Sequence, residues 1–296
     1  MRSIAAILVS AFVIFGHVPS ITARQESAPP RGWSPGPVEG QLGTVARVSV
    51  VEGDIFLDAA ATRQFLEDGQ NIPDGDELGT VLHVGADDSY WFAVFSYDDS
   101  GHVEDDDRDS LDADAIMENM IEGTRLGNEE RRRRGWTELN LEGWYRQPYY
   151  DGATNNLTWS TRIASDGSRG INHSVRLLGR TGVMAVQLVA DADATLDRSV
   201  SEFDRMLTGV SYVEGQRYAE FRPGDRLAGY GLAGLIGAGA AGVALKTGLF
   251  QKFWKLIVVA GIGLVGIVRK FFYSVFGGRQ NPAVTDAGDS QGDSRA

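Results

Sequence analysis

One stretch of nineteen residues without a charge, 227–245, limits what this chain can fold into more than any other feature. As a helix it would be about 28 Å long at 1.5 Å per residue, close to a hydrocarbon core of about 30 Å. Its Gly, Ala, Leu, Ile and Val content suits close helix packing in lipid. We therefore predict a transmembrane helix over 227–245.

A second apolar stretch, 256–268, predicts a second hydrophobic helix. It reaches membrane length only if it extends over 253–272, with Lys255 close to one rim of the bilayer. The two helices then form a transmembrane hairpin, followed by a polar tail over 273–296. An interfacial or re-entrant second helix is the alternative.

Three lysines lie in the connection between the two stretches, and the positive-inside rule places such a connection in the cytoplasm. The residues before the first helix would then lie outside the cytoplasm. Arg269, Lys270 and Arg279 would lie on the outer side as well, against the same rule. A single span is therefore kept as the alternative.

The N-terminus has the three parts of a secretory signal peptide, which we predict over 1–23. Arg2 precedes an uncharged stretch at 4–15, and a small-residue exit follows. The uncharged stretch would form about 18 Å of helix, too short to span a membrane, and an uncleaved anchor is the alternative. Residues 24–43 are rich in Pro, Gly and Ser and are predicted to be a linker.

Residues 44–225 are predicted to form an exported α+β domain, with an antiparallel sheet and helices packed on it. Alternating hydrophobicity and turn signals predict strands at 44–51, 54–57, 79–84, 90–97, 137–146, 157–163, 171–178, 183–189 and 210–213. The first two strands would pair around the Glu52-Gly53 turn. Helical spacing predicts helices at 59–66, 111–134 and 196–207.

Composition removes several classes of function. Zero cysteines exclude disulfides, thiolate nucleophiles and cysteine-ligated metal centres. The formal net charge of −12 argues against nucleic acid as a partner, because no basic field would attract a polyanion. After the signal peptide only His83, His102 and His173 remain, and none of their spacings is typical of a metal site. We therefore assign no catalytic, cofactor-binding or metal-ligating residue and expect no cofactor.

Two G-x-G-x-x-G patterns, the first beginning at Gly229, lie inside the long charge-free stretch. A dinucleotide site needs a strand before the glycines and an acidic residue about twenty positions later, but 226–285 contains no Asp or Glu. We predict small-residue helix faces instead. The face of Gly234, Ala238 and Gly242 suits self-association of the chain.

Three clusters suggest ligand sites, and in each we favour a structural role. Residues 98–114 hold nine acids, which suit a divalent cation or, as we favour, solvated acids at a helix N-terminus. The arginines 131–134 suit a phosphate or, as we favour, the end of a helix. Dense aromatic residues suit a stacking platform or, as we favour, core and cross-strand pairs. These aromatic residues are Trp136, Trp144, Tyr145, Tyr149, Tyr150 and Trp159.

Several motifs occur along the chain in a specific order. They are 91–97, Gly101-His102-Val103 with the acids after it, 144–151, 175–180, 215–221, and Asp225 with Tyr230-Gly231. In this order they resemble the domain-of-unknown-function 2167 family of bacterial proteins, over roughly residues 44–272. The resemblance implies an exported domain with a C-terminal membrane anchor, and it supplies no catalytic residues. His102 departs from the family pattern, which implies an aromatic residue there.

The order of elements also resembles, much more loosely, exported lipoprotein and photosystem accessory domains with an α/β/α sandwich. Together the observations predict a domain outside the bacterial cytoplasmic membrane, tethered through membrane lipid, that binds an envelope protein partner and catalyses no reaction. An envelope hydrolase or transferase that uses carboxylates such as those of 98–109 is the alternative.

Overall fold

A computed structural model describes residues 29–71, 73–85, 90–191 and 196–236. The predicted signal peptide at 1–23, the second hydrophobic helix at 253–272 and the polar tail at 273–296 lie outside these residues, as does the predicted first membrane helix beyond residue 236. Within the described ranges no helix is both long enough and apolar enough to cross a membrane.

The described chain forms eleven strands and four α-helices. The strands are β1 (Trp33–Pro35), β2 (Val38–Leu42), β3 (Ala46–Val50), β4 (Asp54–Asp58), β5 (Glu77–Val84), β6 (Tyr90–Asp98), β7 (Asn140–Asp151), β8 (Asn156–Ser165), β9 (Ser168–Leu178), β10 (Val183–Asp191) and β11 (Val210–Tyr212). The helices are α1 (Ala59–Asp68), α2 (Ala113–Arg133), α3 (Leu196–Leu207) and α4 (Leu232–Leu235).

Eight strands form the central antiparallel sheet, in the order β1-β4-β5-β6-β10-β9-β8-β7. A smaller antiparallel sheet has the order β11-β3-β2. The predicted α+β class, with an antiparallel sheet and helices packed on it, is therefore confirmed.

The central sheet is buried on both faces. On β6, Trp91 and Phe95 point to one face and pack against the small sheet and Phe203 of α3; we call this the small-sheet face. The neighbouring Phe92 points to the other face, where Phe65 of α1 covers it; we call this the helical face. Because alternate side chains of a strand point to opposite sides, the almost continuous apolar run of β6 fits this position.

The helix ends follow ordinary capping chemistry. The carboxylate of Asp58 accepts hydrogen bonds from the backbone N–H groups of Ala60 and Ala61, at 3.0 and 2.9 Å, where α1 begins. Asp112 caps α2 in the same way. The last turn of α2 is rich in arginine, and Gly135 follows with a φ of +68°. These charges complement the helix dipole. Because the capping signals are local, the predicted helix 111–134 begins within two residues of the observed start of α2 at Ala113.

Two predictions about the N-terminal part need correction. The segment predicted as the linker 24–43 contributes β1 and β2, since Trp33 pairs with Leu57 and Val38 with Val50. Ladder hydrogen bonds to distant strands override a composition that locally favours coil. The strands β3 and β4 do not pair with each other around Glu52-Gly53, because the chain crosses there from the small sheet to the central sheet.

The domain also extends past the boundary predicted at residue 225. Leu227 forms a parallel bridge with His102, and helical structure begins only at Leu232. Leu235 and Ile236 are each 1% exposed, and they lie in one hydrophobic cluster with Ile116 of α2. The first ten residues of the predicted membrane helix 227–245 are therefore part of the folded domain, because this domain offers their apolar side chains a protein core.

Candidate functional site

The sequence motifs meet at one edge of the domain, where an acidic loop (98–109) contacts a C-terminal segment (213–236). We call this contact the C-terminal junction. His102 donates its backbone N–H to the carbonyl of Arg226 and accepts from the N–H of Ala228, both at 2.8 Å. The hydroxyl of Tyr218 donates to the carbonyl of Val103 at 3.0 Å. Backbone hydrogen bonds thus tie together two parts of the chain that are far apart in sequence.

The ring of His102 is stacked between two aromatic rings. Its centroid lies 4.4 Å from that of Tyr218 and 4.2 Å from that of Phe221, with interplanar angles of 19° and 24°. The residue is 7% exposed, and burial lowers the pKa of the imidazole, which favours the neutral ring. A planar ring is what this position needs, consistent with the aromatic residue that the family resemblance implies.

Arg180 and Asp225 form a bidentate ion pair across the junction. The Nε and Nη2 atoms of Arg180 donate to the two carboxylate oxygens of Asp225 at 2.7 and 2.8 Å, and the backbone N–H of Arg222 adds a third donor at 2.7 Å. The Arg180 guanidinium is the main reason why the pKa of Asp225 falls to about 2. The carboxylate therefore stays charged at any physiological pH.

A buried cation lies beside the junction. Arg176 is 2% exposed, and its guanidinium lies 4.6 Å from the ring centroid of Trp159. Burial lowers the pKa of Arg176 to about 10, whereas the nearby Tyr230 and Asp98 raise it. The hydroxyl of Tyr230 donates to Asp98 at 2.7 Å. Trp159 is thus a core residue that contacts a cation, as expected for an indole face.

The acids of the loop are engaged in structural contacts. Asp107 accepts from the backbone N–H groups of Leu232 and Ala233 at 3.0 and 3.2 Å and so caps α4. Asp99 pairs with Arg226 at 3.0 Å. Among the described residues no three His, Asp or Glu side chains converge as a metal-ligand set. Helix capping explains part of the acidic run.

The arginines 131–134 serve the end of α2. Arg131 is 4% exposed and donates to the carbonyls of Thr137 and Gln70, which ties α2 to the loop after α1. Arg134 pairs with Glu130 at 2.7 Å and lies 5.0 Å from the ring centroid of Trp136. The sequence alone allowed these arginine side chains to bind a phosphate, whereas in the fold they bind groups of the protein itself.

The aromatic residues of β7 and β8 do not form one platform. Trp144 donates its indole N–H to the carbonyl of Ala113 on the helical face, at 3.2 Å. Tyr145 donates its hydroxyl to Asp197 of α3 on the small-sheet face, at 3.2 Å. The alternation of the strand therefore divides these rings between two sides of the sheet.

The three histidines occupy three separate environments. His83 lies between two carboxylates, with Nδ1 2.6 Å from Asp54 and Nε2 3.4 Å from Glu202. His173 is 2% exposed and lies 2.6 Å from the hydroxyl of Ser160, and burial lowers its pKa to about 4. The His83 cluster arises from cross-strand register, which no spacing along the chain reveals.

An open cleft of about 700 Å³ adjoins the junction. Its lining includes β11, the turn residues Thr154 and Asn155, and Asn156 at the start of β8. Leu177 and Leu207 supply apolar surface, and Arg47 and Arg217 lie at its rim. Its size is within the range of ligand pockets in proteins, roughly 300–1,000 Å³. Sequence reasoning missed this cleft, because its residues come from separate parts of the chain that only the fold brings together.

No curated protein matches the chain. The solution structure of cyanobacterial PsbP (CyanoP) from Synechocystis sp. PCC 6803 is similar at 12% identity, covering 56% of this chain and 86% of that chain, with a TM-score of 0.34. The crystal structure of the Ran-binding protein Mog1p from Saccharomyces cerevisiae is similar at 13% identity, covering 64% of this chain and 100% of that chain, with a TM-score of 0.30.

The family described as "Protein of unknown function (DUF2167)" matches residues 35–269, which begin at the last residue of β1 and include the rest of the described domain and the second apolar stretch 256–268. The motifs that meet at the C-terminal junction lie inside the matched range. The chain therefore belongs to the DUF2167 family.

Proposed function

We propose that this chain is a membrane-anchored protein of the bacterial envelope, whose α+β domain lies outside the cytoplasmic membrane and binds a protein partner there. The signal-like residues 1–23 and the two apolar stretches support this proposal. The family match runs from 35 to 269 and so covers the domain and both apolar stretches in one continuous range.

The C-terminal junction is the observation that carries the proposal. Arg180–Asp225, the stacked His102 and the Asp107 cap all hold the C-terminal segment against the domain, up to Ile236. The sequence then continues without a charge to Leu245. A domain fixed this firmly at the start of an apolar stretch is suited to be held at a set distance from a bilayer.

The contacts of the loop acids favour binding over catalysis. Asp98 accepts from Tyr230, Asp99 pairs with Arg226, and Asp107 caps α4. A hydrolase or transferase that used these carboxylates would have to break contacts that hold the C-terminal segment. We therefore propose a non-enzymatic role as a partner-binding module.

Self-association through the helix face of Gly234, Ala238 and Gly242 is part of the proposal. A Cβ at Gly234 would lie 2.7 Å from the Cβ of Tyr230, so a substitution there would disturb the junction itself. Gly242→Leu is the better variant. It should weaken self-association in detergent, and unchanged association would remove this face from the proposal.

Cysteine labelling tests the topology, since the chain has no cysteine of its own. Single-cysteine variants are made at Val51, which is 62% exposed, and at Lys252 and Asp286. Residues 237–245 alone would make only about 14 Å of helix, so 253–272 is the apolar stretch that remains long enough to span a bilayer. A membrane-impermeant maleimide should therefore label Val51→Cys and Lys252→Cys in intact spheroplasts, and Asp286→Cys only after lysis. Lysed spheroplasts are the control in which all three react.

Protection of Val51→Cys in intact spheroplasts would overturn the proposed location of the domain. Labelling of Val51→Cys and Asp286→Cys with protection of Lys252→Cys would leave the domain outside and replace the single span by a hairpin. Recovery of the chain in the soluble fraction would remove the membrane anchor.

A further inference from the structure

We infer that the cleft beside β11 binds an extended peptide, which adds as a further strand to the free edge of β11. The inference rests on the proposed function, because it names the kind of partner that a binding module of this fold takes. It concerns a surface formed by the small sheet, the β7–β8 turn and the C-terminal segment.

The free edge is the first step of the argument. In the small sheet, β11 pairs with β3 on one side, and among the described strands none pairs with its other side. Val213 donates to Val45 at 2.9 Å, and Ser49 donates to Gly209 at 3.0 Å. These bonds direct the backbone groups of residues 209, 211 and 213 toward β3. The N–H and C=O groups of Val210 and Tyr212 therefore point away from β3, because directions alternate along an antiparallel strand.

The second step is that this edge lines the cleft and is held rigidly. Val210 and Tyr212 both border the cleft. The hydroxyl of Tyr212 donates to the carbonyl of Leu177 at 2.7 Å and accepts from the N–H of Met184 at 2.9 Å. Burial raises the pKa of this phenol, so it remains a neutral donor. The small sheet is thus fixed to the central sheet beside the cleft, and a peptide would meet an edge that is already ordered.

The chemistry of the surroundings defines the peptide. Leu177 and Leu207 offer apolar surface for alternate side chains of an added strand. Arg217 is 62% exposed and 3.6 Å from Glu220, and Arg47 is 47% exposed and 3.4 Å from Glu39. Exposed ion pairs of this kind contribute little, so a carboxylate of the peptide can recruit Arg217, the more exposed of the two arginines. The structure thus favours an extended peptide with alternating apolar residues and an acidic side chain at the rim.

The long edge strand β7 is a poor alternative for the same role. It carries Pro148, and its register with β8 shifts between Leu141 and Gly143, between Trp144 and Arg146, and between Arg146 and Tyr149. Proline and bulges are the usual means by which proteins prevent strand addition. The chain therefore blocks the longer edge and leaves the short edge of β11 open beside a cleft.

The test uses the full chain in detergent and a fluorescently labelled synthetic peptide of sequence Val-Thr-Val-Glu-Val-Thr-Val. Two further probes carry N-methyl groups on alternate amides, one on the odd and the other on the even positions. An added strand forms hydrogen bonds to the edge through every second amide. One N-methylated probe should therefore keep its affinity, and the Kd of the other should rise about tenfold or more. Fluorescence anisotropy measures both Kd values.

Two protein variants complete the test. Val210→Pro removes the N–H that points to the free edge and should weaken binding about tenfold, whereas Val210→Thr keeps the N–H and should bind normally. Arg217→Glu should weaken binding of the glutamate peptide and strengthen binding of the same peptide with lysine in place of glutamate. Arg217 has an exposed side chain, so this variant keeps the test valid if Val210→Pro fails to fold.

Equal affinity of the two N-methylated probes would overturn strand addition, and an absence of peptide binding would overturn the inference as a whole. Unchanged affinity of the glutamate peptide for the Arg217→Glu variant would overturn the preference for an acidic peptide. The labelling experiment at Val51, Lys252 and Asp286 is independent of these results. Protection of Val51→Cys together with normal peptide binding would refute the location of the domain and leave the cleft as a peptide site. Labelling of Val51→Cys together with no peptide binding would refute the cleft as a peptide site and leave the location of the domain.

Discussion

Arg180 binds both carboxylate oxygens of Asp225, at 2.7 and 2.8 Å, although 45 residues separate them in the sequence. Arg180 lies just after β9, and Asp225 precedes the bridge between Leu227 and His102. The pair therefore fastens the C-terminal segment to the end of the central sheet. A planar guanidinium fits a carboxylate in this way, and an ammonium does not.

We predict that Arg180→Gln destabilises the domain at neutral pH and that this loss depends on pH. The pKa of Asp225 in the fold is about 2, below its ordinary value of 3.8. The ion pair therefore contributes fully above a pH of about 4, and its contribution is lost as the pH falls toward 2. The difference in unfolding free energy between wild type and variant, from urea titrations, should be constant from pH 7 to about 4 and shrink below.

Arg169→Gln is the control for this prediction. Its side chain is 72% exposed and lies 3.2 Å from Glu142, far from the junction. It should change stability little at any pH. A difference for Arg180→Gln that stays constant down to pH 2 would show that the lost stability comes from packing and not from the ion pair.

His173 predicts a second pH effect, at a higher pH. Burial lowers its pKa to about 4, so the folded state binds fewer protons than the unfolded state between about 6.5 and 4. Wild-type stability should therefore fall as the pH drops through this window, by about 3 kcal/mol from this group. His173→Gln lacks the titrating group, and its stability relative to wild type should improve over the same window. Parallel curves for the two proteins would contradict the assignment.

The stacked ring of His102 predicts different effects for two substitutions. His102→Phe keeps a planar ring between Tyr218 and Phe221 and removes a buried Nδ1 that has no hydrogen-bond partner, but it also loses the hydrogen bonds of the imidazole to the backbone of Gly179 and Arg180. We expect its stability to stay close to that of wild type. His102→Ala leaves a cavity between the two rings and should cost about 2 kcal/mol. Thermal unfolding measures both, and equal losses for the two variants would show that the imidazole itself is required.

Gly231 and Gly229 form a matched pair at the start of α4. A Cβ at Gly231 would lie 2.6 Å from the Oδ2 atom of Asp107, whereas a Cβ at Gly229 would meet no atom within 4 Å. Gly231→Ala should displace the Asp107 carboxylate from the N-terminus of α4 and cost about 1 kcal/mol, the usual value of a helix cap. Gly229→Ala should be neutral. Limited proteolysis of the C-terminal segment should be faster for Gly231→Ala alone.

The sequence predicted most elements because their signals are local. The helix α2 begins after an aspartate, carries apolar residues at helical spacing and ends in arginines, and each of these signals lies within the helix itself. The strands β5 and β6 have the alternation and the intervening turn of a hairpin, and they pair as expected. Local propensity and tertiary structure agree at these positions.

Errors occurred where distant pairing decided the outcome. The short strands β1 and β2 lie in a segment rich in Pro and Gly, and only their pairing with β4 and β3 makes them strands. The cleft could not be predicted at all, since β11 and the β7–β8 turn are more than fifty residues apart in the sequence. The sequence predicted that acids of the loop cap a helix, and Asp112 does so for α2. It did not predict that Asp107 caps α4, because the backbone N–H of Leu232 that it binds is 125 residues away.

The contacts of the C-terminal junction also bear on the order in which the domain forms. Tyr218 with Val103, Leu232 with Asp107 and Tyr230 with Asp98 are separated by 115, 125 and 132 residues. Contacts between residues this far apart form more slowly than local contacts. We expect the C-terminal segment to dock after the local hairpins of the domain have formed. These docking contacts set where the chain leaves the domain, so every correctly folded molecule presents its C-terminal apolar stretch from the same point.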